Sequence, residues 1–187
     1  HNDLIPMNII VTGASRGVGN ALVREFAKDS DHHIVAIARD QAALNKLKKE
    51  CISSLPEAHV HPVGYDLTQG AFSALLLPEI EKRIGKADIL INNARQLIHK
   101  PFSDFTSEEI DRMLDINFKA VVFLIQALLP IMNPGSHIVN IGSMGGVQGS
   151  VKFAGMSLYS ASKGALAILT ECLAEEFRPA EISVNML

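Results

Sequence analysis

Apolar residues in this 187-residue chain come in short unbroken runs, separated by longer stretches in which apolar and polar positions alternate with helical spacing. The first run, Asn8-Ile9-Ile10-Val11-Thr12, ends in a glycine. A helical pattern follows it, with Val18, Ala21, Leu22 and Phe26 apolar and Arg24, Glu25 and Lys28 polar. The same reading predicts strands over 33–38, 59–64 and 87–92, a helix over 41–54, and a helix over 69–84 bent or split at Pro78. Thr106 followed by Glu109 has the spacing of a capping box, and one or two helices should run from Ser107 to about Met132. A strand over 136–141, a helix over 158–177 and the start of a last strand over 182–186 complete the pattern.

Strands that are apolar throughout and separated by helices imply a parallel sheet covered on both faces. Crossover helices on two sides predict an α/β, doubly wound, three-layer sandwich of the nucleotide-binding type. Composition agrees, since 48% apolar and 20% charged residues suit one globular domain. Residues 1–6 read as a tag or disordered leader ahead of a start at Met7, and 7–187 as the single domain. The apolar run 120–132 is interrupted by Gln126 and Pro130 and is too short to span a bilayer, so no membrane role is expected.

Charge excludes some partners. Seventeen basic and twenty acidic residues leave a net charge of −3, whereas a nucleic-acid binder shows a basic surplus on one face. The dense basic spot Lys46-Leu47-Lys48-Lys49 is read as a solvated helix face. Cys51 and Cys172 lie far apart without metal or redox spacing and are expected to be buried or inert thiols, in keeping with a reducing cytoplasm. The histidines form no ligand pattern, and His32-His33 reads as turn, so no metal site is indicated.

Three features carry chemistry. Thr12-Gly13-Ala14-Ser15-Arg16-Gly17-Val18-Gly19 joins the first strand to the first helix, where glycines permit close approach of a pyrophosphate and a helix N-terminus favours its charge. Tyr159 and Lys163 stand four apart and share one helix face. A phenol is a poor acid–base catalyst near neutrality until a nearby cation favours its anion. Ser143 follows a strand, at the sheet edge where such folds bind ligands. Each feature alone also suits an ordinary turn, surface or core role.

Together, Thr12-Gly13-x-x-x-Gly17-x-Gly19, Asn92-Asn93-Ala94, Asn117, Ser143 and Tyr159-x-x-x-Lys163 resemble the compact short-chain dehydrogenase/reductase family over Met7 to Leu187. The resemblance implies hydride transfer between a nicotinamide cofactor and a carbonyl or alcohol carbon. It implies that Tyr159 exchanges the substrate proton, that Lys163 bonds the nicotinamide ribose and favours the phenolate, and that Ser143 holds the carbonyl oxygen. Asn117 would anchor a proton-relaying water. Gly13, Ser15, Arg16, Gly17, Val18, Gly19, Asn93 and Ala94 would line the cofactor, with Asp66 and Leu67 at the adenine and Arg39 at the ribose. Ala38 stands where an acid would select NAD(H), and Arg39 with Arg16 would favour NADP(H). Asp40 is the competing ribose ligand and is read instead as the cap of the next helix. A homodimer or homotetramer is expected through the apolar faces of 118–129 and 158–173.

Three departures stand out. Arg95 replaces the glycine that usually follows Asn-Asn-Ala, and near the adenosine it would contact phosphate or obstruct the cofactor. The Ser143-to-Tyr159 interval is long, which brings in Ser150 and Ser157 as rival serines, although Ser143 is better placed. The chain stops at Asn185-Met186-Leu187, inside the expected sixth strand, so a longer native protein carrying the substrate lid is expected. The competing reading is a dinucleotide-binding module without catalysis, with a sensing or assembly role.

Overall fold

A computed structural model describes residues 5–187; the expected leader falls mostly on residues 1–4, outside the described residues. Six strands form one parallel sheet: β1 (Asn8–Thr12), β2 (His33–Ala38), β3 (His59–Gly64), β4 (Ala87–Asn92), β5 (Met132–Asn140) and β6 (Ser183–Met186). Their spatial order is β3-β2-β1-β4-β5-β6, so the chain winds outward twice from a switch point between β1 and β4. The strands are apolar on both faces because both are covered. Ile9, Val11, Ile34 and Ala36 enter one core with Val23 of α1 (Gly17–Phe26) and Leu44 and Leu47 of α2 (Gln41–Ser54). Ile10, Val35, Ile37 and Leu90 enter the other. There they meet Ile80 of α3 (Leu77–Ile84), Leu124 and Leu128 of α5 (Ala120–Leu128) and Leu166 of α6 (Ser157–Glu176).

Local chemistry explains the ends of the elements. Asp40 caps α2 by accepting from Ala43 N at 2.9 Å. Thr106 and Glu109 form the reciprocal capping box of α4 (Ser107–Leu114). Pro62 sits in β3, an edge strand, where a missing N–H costs least.

Several expectations need correction. Residues 69–71 do not join the third helix: Ala71 turns left-handed at φ 52°, a π-helical turn spans Phe72–Leu76, and Pro78 lies in the first turn of α3. Proline has no N–H to give, and the first turn needs none. β5 begins at Met132 rather than 136 and ends at Asn140, with a register shift against β4 between Ala87 and Ile89. The helical path from Ser107 to Ile131 is continuous, 25 residues long, and has a window of mean hydropathy 1.7, which length and apolarity alone would allow to cross a membrane. Here it is a core element, with Val121, Leu124, Ile125 and Leu128 buried against the sheet. Cys51 is buried as expected, whereas Cys172 is exposed on α6.

Candidate active site

The switch point brings the carboxyl ends of β1 and β4 side by side, and a buried threonine joins them. Thr12 Oγ1 accepts from Asn93 N and Ala94 N, each at 3.0 Å, and donates to Ile91 O at 3.4 Å. All three capacities of the hydroxyl are thereby used. Asn93 Nδ2 returns the tie by donating to Thr12 O at 3.1 Å and Gly13 O at 3.2 Å. The glycines follow from this closeness. A Cβ on Gly13 would lie 2.8 Å from Ala94 Cα, and one on Gly19 would lie 2.4 Å from Gly13 O. Gly17 has open space but turns at φ 57°, a conformation that disfavours any side chain. Behind this loop α1 starts at Gly17 with no side-chain cap and no acid in its first turn. Its first N–H groups and partial positive charge therefore remain available to an anion. Ser15 is half-buried in the loop, while Arg16 and Val18 are exposed. These features fit a dinucleotide diphosphate.

Along the same edge, β4 continues into a segment held by Asn117. This fully buried side chain accepts from Gln96 N at 2.8 Å and donates to Gln96 O at 2.8 Å. It also donates to Ser162 Oγ of α6 at 3.0 Å, and Ser162 in turn donates to Tyr159 O. Asn117 can do this because it stands in a π-helical turn, Asp115–Lys119, between α4 and α5. One extra residue per turn frees an inward-facing position from the regular ladder, a distortion common at functional sites.

Tyr159 and Lys163 lie one turn apart on α6 and are 3% and 2% exposed. Lys163 Nζ donates to Ile141 O at 2.7 Å, just past the end of β5, which leaves two N–H groups of the ammonium for a ligand. Burial, and then the positive charge of Arg95, push the Lys163 ammonium down to about 8. Ser143 caps the short turn Met144–Gly146, its Oγ accepting from Gly145 N at 3.3 Å. That turn presses on α6: a Cβ on Gly146 would meet Gly164 N at 2.8 Å, and one on Gly145 would meet Ser160 Oγ at 2.6 Å. Ser143 is therefore anchored against the helix that carries Tyr159 and Lys163. Ser150 instead donates to the carbonyls of Met144 and Val147 and stays in its own loop. An open cavity of about 420 Å³ lies beyond the turn, lined by Gly145, Val147, Phe153 and Ser160 among others.

At the β2–β3 side, Asp66 Oδ1 accepts from Thr68 N at 2.9 Å and Thr68 Oγ1 at 2.8 Å. The Thr68 backbone bond is the main reason its carboxyl is held below the usual range, and the charge of nearby Arg39 adds to it. Arg39 is exposed, and Leu67 is buried beside Asp66. Asp40 is engaged as a helix cap, as expected. Arg16 forms no side-chain hydrogen bond or ion pair among the described residues, so no direct tie joins it to Arg39. Arg95 is exposed on the segment after β4, and its positive charge reaches Lys163. No cluster of metal-ligating residues occurs among the described residues.

Sequence reasoning missed Ser162, Asn140 and Thr12's hydroxyl. Asn140 accepts from Asn92 Nδ2 at 2.8 Å and donates to Thr170 Oγ1 at 2.9 Å, which ties β4, β5 and α6 together below the site. Polar residues at the ends of apolar strands, and a serine on the buried face of the Tyr159 helix, were the available signals.

Residues 7–187 match the short chain dehydrogenase family. The chain is 33% identical over 183 residues to carbonyl reductase (NADPH) 2 of Sus scrofa, covering 96% of this chain and 69% of that one. It is 32% identical over 180 residues to L-xylulose reductase of Mesocricetus auratus, covering 94% and 68%. A short-chain dehydrogenase from Streptomyces avermitilis superposes with a TM-score of 0.85 at 32% identity, covering 98% of this chain and 65% of that one. One from Burkholderia cenocepacia in complex with NADP gives 0.86 at 29%, covering 99% and 74%. The chain thus spans about two-thirds of the length of the relatives it matches. With the glycine loop, the Asn117 tie and the Tyr159–Lys163 pair on one sheet edge, it belongs to the short-chain dehydrogenase family of oxidoreductases.

Proposed function

We propose that this chain carries the cofactor and proton-handling part of an NADP(H)-dependent oxidoreductase acting on a carbonyl compound or secondary alcohol. The observation that carries the reading is the buried Tyr159–Lys163 pair, with Lys163 fixed on Ile141 O at the carboxyl end of β5. When bound, the nicotinamide supplies or accepts the hydride. Gly13, Ser15, Gly17, Val18 and Gly19 with the start of α1 hold the diphosphate, and Asn93 and Ala94 line the opposite wall. Lys163 binds the nicotinamide ribose through its two remaining N–H groups.

The rest of the chemistry is proton management. Tyr159 Oη gives its proton to the carbonyl oxygen during reduction and takes it back during oxidation. The Lys163 ammonium favours the phenolate that results. Ser143 Oγ donates to the same carbonyl oxygen and stabilises the charge that develops there. Asn117, clamped on Gln96 and Ser162, holds the segment after β4 against the helix that carries Lys163, where a bound water would return protons to the site. The apolar side chains around the cavity beyond Ser143 suit the non-reacting part of the substrate.

NADP(H) is favoured over NAD(H) because Asp40 is occupied as a cap while Arg39 stands exposed beside Asp66. The NADP complex of the Burkholderia relative supports the same choice. Exposed Phe123 and Ile168, on α5 and α6, support pairing with a second copy of the chain.

Tyr159→Phe is the direct test. It should lower turnover by about 10²- to 10⁴-fold while leaving NADPH affinity nearly unchanged, because only the proton handle is removed. Steady-state rates on a ketone panel, run beside calorimetric titration with NADPH, check both halves. Equal turnover in the variant overturns the assignment of Tyr159.

A further inference from the structure

Arg95 stands where the family resemblance calls for glycine, and the structure gives its backbone little freedom. Ala94 before it donates to Thr12 Oγ1, and Gln96 after it is bonded at both N and O by the buried Asn117 side chain. A bulky residue is therefore held at a fixed place on the β4 edge. On one side Ala94 lies against Gly13, close enough that a single added methyl would touch it. On the other, Gln96 is tied through Asn117 to Ser162, the neighbour of Lys163 on α6.

The side chain itself is exposed and forms no hydrogen bond or ion pair among the described residues. Lys163 is 2% exposed and spends one of its three donors on Ile141 O. Among the described residues no carboxylate acts on Lys163, and the one charge that does is Arg95. Two cations thus share a corner of the site with no acid between them, and such a pair is stabilised by a bound anion. A dinucleotide held by both the glycine loop and Lys163, as proposed above, would pass this position.

We infer that Arg95 is a cofactor-binding residue that holds the diphosphate from the β4 side, facing the glycine loop. This rests on the dinucleotide-site reading above. The guanidinium adds a charge-assisted contact to those that the free N–H groups at the start of α1 offer.

The test is calorimetric titration of the wild-type chain, Arg95→Gln and Arg95→Lys with NADPH, at low and moderate salt. Adenosine 2′-monophosphate serves as a probe that lacks the diphosphate and the nicotinamide half. Arg95→Gln should weaken NADPH binding about tenfold or more and reduce its sensitivity to salt. Adenosine 2′-monophosphate should bind both proteins equally, and Arg95→Lys should recover most of the loss. Over pH 7–10, the alkaline fall in NADPH affinity should move upward in Arg95→Gln, because one cause of the lowered Lys163 ammonium is gone.

Unchanged NADPH affinity in Arg95→Gln overturns the inference, whatever turnover does. Equal weakening of both probes does the same, since the effect would then not be local to the diphosphate. Wild-type protein that binds neither NADPH nor NADH overturns the dinucleotide reading itself, and the inference with it.

Discussion

The two ends of the sheet both gather polar and titratable side chains, yet they are built on different terms. At the carboxyl end, Thr12, Asn93, Asn117 and Lys163 are fixed by hydrogen bonds to backbone atoms of other elements. Among the described residues no carboxylate acts on Lys163, and Thr12, Asn117 and Lys163 are all buried. At the amino end of β2 and β3, His33, His59 and His61 stack on one another instead. The His33 and His59 rings are 4.2 Å apart and 1° from parallel, and His33 Nδ1 lies 3.4 Å from His61 Nε2. Burial, then His33, Lys48, Arg83 and His59, push His61 down to about 4, and His33 is lowered by burial and by His59. The first cluster is arranged to receive charge. The second disfavours added charge on His61 and His33. Clustered polarity at a sheet end is therefore not itself a functional signal; what distinguishes a site is fixed donors facing an uncompensated charge.

Thr12→Val tests the first half of that comparison most severely. The swap preserves shape but leaves Asn93 N and Ala94 N without their acceptor in a buried place. It should cost about 2–4 kcal/mol of stability, read from urea denaturation. A loss below about 0.5 kcal/mol would mean that those amides find other partners and that the threonine is not the joint between β1 and β4.

Arg39→Asp should act chiefly on ligand choice, because Arg39 is exposed. The ratio of NADPH to NADH affinity should fall by on the order of tenfold or more, about 1.4 kcal/mol per decade, with the melting temperature nearly unchanged. An unaltered ratio would remove Arg39 from the cofactor reading.

The smallest effect concerns the histidine end. A base whose folded pKa lies below its unfolded value of 6.5 binds fewer protons when folded. Its neutral form supports the fold above pH 6.5, and that support is lost as pH falls from 6.5 through about 4. For a half-buried ring the loss is on the order of 1–2 kcal/mol after allowance for solvent screening. His61→Leu should flatten this part of the stability-versus-pH curve, measured by urea denaturation at pH 4.5 and 7. A variant that loses stability over that interval as steeply as wild type would show that the stack does not sense acid.

Much of the frame was legible from local pattern. Strands at 8–12, 33–38, 59–64 and 87–92, the helix at 41–54, the Asp40 cap and the Thr106–Glu109 box stand where periodicity and capping chemistry put them. Each depends on residues within a few positions of one another. The helix expected over 69–84 departs at its start, where a left-handed Ala71 and a π-helical turn precede Pro78, since no short pattern marks such irregular turns. In the site, the Tyr159–Lys163 face was legible because a helix repeats every 3.6 residues.

Residue spacing alone determined that this chain would form a doubly wound sheet with a glycine loop at its first turn, because strand, helix and turn preferences act over one or two turns of chain. Tertiary structure decided what those residues do for each other. Thr12 meets Asn93 across 81 positions, Asn117 meets Ser162 across 45, and Lys163 meets Ile141 across 22. Such pairs form only after the sheet has ordered its strands. That assembly also brings the charge of Arg95 to bear on Lys163, 68 positions away in the chain, since an electrostatic neighbour is set by distance in space and not by order in the chain.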